Sequence, residues 1–195
     1  MCIRDRYRVN PQQQGVVMRF GEWVRTTPPG LHYHIPTPIE KVMTPDVTSD
    51  NRIEVGYRSF GGAATSRRDV PDESKMITGD ENNIDIDFIV FWKIADAGAY
   101  LFNIQDPPEP VKVAAQSVMR DIIGQTKIQT ALTGGRQDIQ LKAKNMLQEL
   151  LNEYEAGVEI RDVQLLSVDP PAEVIDAFND VQRARQDRDL SLIHI

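Results

Sequence analysis

Ile84, Ile86, Phe88, Val90, Trp92 and Ile94 occupy every second position of one uninterrupted stretch, with Asp85, Asp87 and Lys93 between them. A period of two puts the apolar set on one face of a strand and the charged set on the other. The chain therefore contains a sheet with a buried face and needs further elements to cover it. Residues 75–78 followed by the polar turn 79–83 lead into this strand and predict a hairpin. Asp85 and Asp87 are expected on a solvated outer face, because alternation with buried Ile is what a half-buried sheet shows.

Upstream, the pattern predicts short strands over 15–20, 23–25 and 31–35, divided by Pro28-Pro29-Gly30 and Pro36-Thr37-Pro38, then an extended segment over 46–55. Residues 59–72, with Gly61, Gly62 and Pro71, predict a loop. Downstream the period becomes helical. Val111, Ala114, Ala115, Val118, Ile122 and Ile123 predict a helix from about Pro110 to Gly124. A second helix follows Gly134-Gly135, with Ile139, Ala143, Met146, Leu147, Leu150 and Tyr154 inward, and Gly157 stops it. Val158 and Ile160, then Val163 and Leu165 out of phase by one, predict a strand with a bulge. Asp169-Pro170-Pro171 opens a last helix whose narrow apolar stripe is Val174, Phe178 and Val181. Strands first, then helices with one strand between, make this an α+β chain.

Composition narrows the function classes. A formal net charge of -7 over 195 residues opposes binding to nucleic acid or to anionic lipid by the summed field, and no cluster of four or more basic residues relieves this. The one cysteine, Cys2, permits neither an intrachain disulfide nor a Cys-based metal site. The longest apolar run, 88–92, falls far short of the roughly 20 residues a membrane helix needs. Residues 1–6 and 190–195 match neither the pattern nor the chemistry of their neighbours and are expected to be non-native ends.

Few residues offer chemistry. His32 and His34 share a strand face, but metal sites normally use three or four ligands and no third stands nearby, so packing is the better reading. Asp85 and Asp87, with Asp80 and Glu81 in the turn before them, form no acid/base site with an orienting partner. Gly134-Gly135-Arg136 lacks the Lys-Ser/Thr of a phosphate loop. Ser117 and Ser167 stand outside any nucleophile elbow. Arg120 and Asp121 lie on the polar side of the first long helix, as contacts to a neighbouring subunit or as an ordinary solvated face. No catalytic, cofactor-binding or metal-binding residue is expected.

Four blocks in order carry a resemblance: 9–21 with 29–40, then 76–83 leading into the long strand, then 117–124, then 170–178. Together they resemble the SPFH or band 7 superfamily of stomatin, prohibitin, flotillin and HflK/HflC proteins. The Pro29-Gly30-Leu31-His32-Tyr33-His34-Ile35-Pro36 block and the loop between Arg58 and Lys75 resemble its HflK branch. The resemblance implies an SPFH domain over 7–168 and, over 169–189, the start of a coiled-coil-like helix. It implies a scaffold, not an enzyme, held in the bacterial inner membrane by a span absent from this chain, with the domain on the periplasmic side. The implied partners are an HflC-like sister subunit, an FtsH-like membrane protease and further copies of the chain. Val174, Phe178, Val181, Arg183 and Arg185 are expected at oligomer contacts, and Val17, Phe20, Trp23, Leu31 and Ile35 near the membrane. The rival expectation is a stomatin-like or prohibitin-like lipid-binding membrane organiser.

Overall fold

The computed structural model describes residues 6–59, 67–104, 108–132 and 134–171. In chain order these form β1 (Arg6–Val9), β2 (Gly15–Arg19), β3 (Glu22–Thr27), β4 (Gly30–Tyr33), β5 (Glu40–Met43), β6 (Asn51–Val55), β7 (Tyr57–Ser59) and β8 (Arg67–Asp69). Then follow α1 (Pro71–Ser74), β9 (Lys75–Ile77), β10 (Asn83–Ile94), α2 (Ala97–Phe102), α3 (Pro108–Gly124), α4 (Ile128–Leu132), α5 (Arg136–Glu153) and β11 (Val158–Asp169). The fold is α+β. One sheet runs β11-β10-β6 with β9 also on β10; β3-β2-β5 forms a second sheet, and β1-β4 and β7-β8 are ribbons.

The chain divides into two compact units, one from described residues of 6–53, 89–119 and 140–164, the other from 54–88, 120–139 and 165–171. In the first, β2 contributes Val16 and Val17 to the core, β10 contributes Val90, Trp92 and Ile94, and α5 contributes Ala143, Leu147 and Leu151. The inward stripe of α5 is thus spaced at i, i+4, i+8, while Met146 and Tyr154, expected inside, are exposed. A strict four-residue step drifts slowly around a 3.6-residue helix, so the stripe follows the 143–147–151 ridge and leaves its flank in water. After α5 the chain reverses at Gly157, whose φ of +65 and closeness to Asp96 O and Ala99 leave no room for a Cβ. Its carbonyl accepts from Ala95 N–H and Asp96 N–H. The Asp96 carboxylate then caps α2, accepting from Gly98 N–H (2.8 Å) and Ala99 N–H (3.3 Å).

In the second unit the predicted hairpin is present: Asn83 pairs with Ile77, Ile84 with Met76 and Asp85 with Lys75. Its turn also starts a helix. Thr78 Oγ1 donates to the Asp80 carboxylate (2.6 Å), which in turn accepts from Ile128 N–H (3.0 Å) at the head of α4, while Gly79 N–H donates to Thr126 O. The Thr78 hydroxyl, followed by the Ile128 amide, holds Asp80 below its ordinary pKa against the opposing effect of burial.

Two expectations need correction here. Residues 59–72 are not one loop: Ser59 ends β7, which pairs with β8, and α1 starts at Pro71. The ribbon is held locally, by Arg58 donating twice to Glu73 (2.9 and 2.7 Å) and by Ser59 N–H and Oγ donating to Glu54. Asp87 does not face solvent either. It is 8 % exposed, accepts from Ser167 Oγ (2.9 Å), and lies against Gly56, whose φ of +92 brings the backbone to it. Its place on the outer side of the alternation is real, but that side of β10 is covered at this point.

β11 is continuous, with Val158 and Ile160 buried, Arg161 and Asp162 both exposed, and Val163 buried again, so its inward phase shifts where the sequence places a bulge. Replacing Asp80 with Ala removes the cap of α4 and should lower stability by about 1 kcal/mol in urea unfolding, with the helical far-UV signal otherwise retained.

Candidate functional site: a basic and apolar face on the N-terminal strands

Glu40 is the least ordinary residue of the first unit, a carboxylate whose side chain has no solvent exposure. It survives burial because every side of it meets a donor. Arg19 Nε and Nη2 donate to Oε1 (3.2 and 2.8 Å), while Arg25 Nη2 (3.4 Å) and the backbone N–H of Ile35 (2.9 Å) donate to Oε2. Arg25 Nη2 also donates to Tyr33 O (3.0 Å). One carboxylate thereby joins β2, β3 and the chain leaving β4. The Ile35 amide first, then Arg19, and then the charge of Arg25 hold the Glu40 pKa below its ordinary value, outweighing desolvation.

The β2–β3 hairpin owes its shape to two local irregularities. Its loop is the pair Phe20-Gly21, both at positive φ (51 and 93), between partners Arg19 and Glu22. Two consecutive left-handed residues suit the twist of a two-residue hairpin, but the first is normally Asn, Asp or Gly. Phe20 instead stands at the tip 78 % exposed. The second irregularity is a bulge at Val24: Arg25 pairs with Val17, but Trp23 pairs with Met18. Without the extra residue Trp23 and Arg25 would share a face; with it, Arg25 turns to Glu40 while Trp23 lies on the opposite face. There Trp23 stacks on Phe102 of α2 (centroids 6.1 Å, 12°) and covers Gly98, where a Cβ would collide with the indole.

The β1–β4 ribbon is sorted by the same period of two. Tyr7 pairs with His32, and the Tyr7 ring lies 5.7 Å from the His32 ring and 5.6 Å from that of His34. The Tyr7 hydroxyl donates to Thr27 Oγ1 (2.9 Å), which itself donates to Gly15 O (3.1 Å), tying the ribbon to the neighbouring sheet. His32 Nε2 and His34 Nδ1 each lie within hydrogen-bond distance of a carbonyl, Pro28 O (2.8 Å) and Ile35 O (2.9 Å). Among the described residues no group of three or more His, Cys, Asp or Glu side chains is placed to hold a metal. The outer face carries the pairs Arg6–Tyr33 and Arg8–Leu31, all exposed, with Leu31 at 64 % and Tyr33 at 62 %, and Ile35 (41 %) just beyond. Arg6 lies over the Tyr33 ring at 5.0 Å.

Of the five residues expected near a membrane, the structure leaves Phe20, Leu31 and Ile35 exposed in the first unit. Trp23 is exposed as well, at 47 %, but on the opposite face of its hairpin from Arg25, and Val17 is fully buried. Val17 belongs to the core because its strand position faces inward; apolar character alone could not separate it from Phe20. Tyr33, Arg6 and Arg8 were not singled out, although the alternation over 30–35 could have shown Tyr33. Val174, Phe178, Val181, Arg183 and Arg185 lie outside the described residues. Arg120 donates to Asp72 O and Asp121 accepts from Gln125, both within the chain, and Ser117 is exposed on α3.

Glu40→Gln should destabilise the chain by about 2 kcal/mol, because it leaves two guanidiniums facing a neutral amide. Since the folded-state pKa of Glu40 is lowered, its stabilisation is complete above the ordinary glutamate value and is lost as pH falls through the lowered one. The gap between the two proteins in thermal unfolding should therefore be widest near neutrality and shrink on acidification. Phe20→Asn should act oppositely and raise stability by about 1 kcal/mol in the same measurement, by relieving a left-handed Phe.

The SPFH domain / Band 7 family matches residues 7–193. The chain is 37% identical to Protein HflK of Treponema pallidum over 183 residues, covering 92% of this chain and 56% of that protein. It is 32% identical to Protein HflK of Borreliella burgdorferi over 189 residues, covering 96% and 60%. Against the Modulator of FtsH protease HflK of Escherichia coli K12 identity is 28% over 180 residues, covering 92% and 39%. The chain thus spans between two-fifths and three-fifths of the length of these relatives. With the family matched over nearly its whole length, the chain belongs to the SPFH domain / Band 7 family and is HflK-like within it.

Proposed function

We propose that this chain is a non-catalytic scaffold subunit that packs with copies of itself and with an HflC-like sister into a membrane-anchored ring or cage, and thereby regulates an FtsH-like AAA+ protease. The observation that supports this best is the match to HflK proteins over more than nine-tenths of the chain, one of them named as a modulator of FtsH protease. In this reading residues 7–168 are the SPFH domain and 169–189 begin a helix that continues laterally between subunits. Val174, Phe178, Val181, Arg183 and Arg185 carry the contacts along it. The domain sits on the periplasmic side of a bacterial inner membrane. Among the described residues no helix is long and apolar enough to cross a membrane.

The mechanism is geometric. A ring of rigid domains limits which substrates reach the protease, and its work depends on a fixed orientation to the bilayer. Phe20, Leu31 and Ile35, exposed on strands clamped by Glu40, supply that orientation by resting against the membrane surface. The same exposed residues favour the second reading, a stomatin-like or prohibitin-like lipid-binding organiser that needs no protease.

Light scattering on this chain, alone and mixed with the matching HflC-like domain, tests the first reading. A mixed assembly of many subunits is expected. Monomers in both samples would remove the scaffold and leave the organiser.

A further inference from the structure

α5 carries apolar side chains that the core of the first unit does not use. Ala143, Leu147 and Leu151 are buried, and one position earlier Lys142, Met146 and Leu150 repeat the same four-residue step as a second ridge. Met146 is 36 % exposed and Leu150 half-buried, so this ridge runs along the flank of the helix beside solvent. Glu149 and Glu153, three residues on from Met146 and Leu150, stand on the same flank.

The charges there are set against the helix that carries them. Glu153 lies in the last turn, which holds no basic residue, so its charge meets the negative end of the helix dipole. Glu149 precedes it by four residues, the spacing at which like charges repel. Lys142 sits in the half nearer the positive end. None of the three forms an ion pair among the described residues.

One helix gains nothing from this order, but two antiparallel helices do. With a two-fold axis passing at Met146, that residue meets its own counterpart, and Lys142 of each copy stands opposite Leu150 of the other, between that copy's Glu149 and Glu153. The two dipoles also run antiparallel. Because the flank is complementary to itself, the occupant it selects is a second copy of this chain.

We propose that the flank of α5 formed by Lys142, Met146, Glu149, Leu150 and Glu153 is a two-fold, antiparallel contact between two copies of this chain. Such a contact closes on itself and cannot extend a ring. In the scaffold reading above, on which its place in an assembly rests, it therefore joins copies that are not ring neighbours.

The test is light scattering on the full chain over a range of concentrations. A monomer–dimer equilibrium is expected, weakened by salt. Lys142→Glu, and separately Glu149→Lys with Glu153→Lys, should each weaken dimerisation about tenfold, because the symmetry repeats every changed contact. Mixing these two variants should restore it, since one copy then presents only acids on this flank and the other only bases. At dilution, where all are monomers, Glu153→Lys should unfold about 1 °C higher than the parent by relieving the last turn, so its lost dimerisation will not reflect a damaged fold. In a Cys2→Ser background a short bis-maleimide should couple two copies through Met146→Cys but not through Leu141→Cys, although Leu141 is the more exposed at 60 %. A wild-type chain that stays monomeric at every concentration would overturn the proposal. So would unchanged dimerisation in both variants, a mixture no heavier than its components, equal coupling at Leu141, or dimers that dissolve in EDTA, which mark a metal bridge between the acids. The scaffold reading fails separately: dimers alone, with no large assembly beside the HflC-like domain, would support this contact and remove the scaffold.

Discussion

A carboxylate removed from water must be compensated, and the N-terminal strands are arranged so that Glu40 is. Two arginines and one backbone amide converge on it from β2, β3 and the segment after β4. A charge in that position is tolerable only while all its partners stay, so the clamp fixes their relative positions far more sharply than apolar packing would. Phe20 is next to Arg19, Tyr33 gives its carbonyl to Arg25, and Ile35 gives its amide to Glu40. The exposed apolar side chains are thus carried on the same backbone that the buried charge holds still.

Much of the frame was legible because periodicity is a long-range average. The alternation 84–94 became one twelve-residue strand, the helical spacing from Val111 became α3, and the shift between Ile160 and Val163 appears in β11. What stayed hidden depends on single contacts. β5 is only four residues and opens with a buried Glu, which composition reads as surface. α2 is six residues long and exists through the Asp96 cap and the close approach of Gly98 to Trp23. Asp87 is buried because other residues cover it, and no pattern local to β10 could report that. The candidate face was half visible: Leu31 and Ile35 were evident, but the bulge at Val24 that turns Trp23 away, and the β1 pairing that brings Arg6 and Arg8 alongside Leu31 and Tyr33, are properties of register.

The irregular features, a left-handed Phe at a hairpin tip, a bulge and a buried charge, gather on the N-terminal strands and set which side chains face out. The left-handed Phe20 costs stability, whereas the buried Glu40, with its donors in place, contributes it.

Hydrogen–deuterium exchange on the chain with and without vesicles containing anionic phospholipid addresses the central claim that these strands are the contact face. Protection should rise in β1, β4 and the β2–β3 tip and remain unchanged along α5. Protection centred instead on α5, around its exposed Leu141 and Met146, would contradict the account and place the working surface elsewhere.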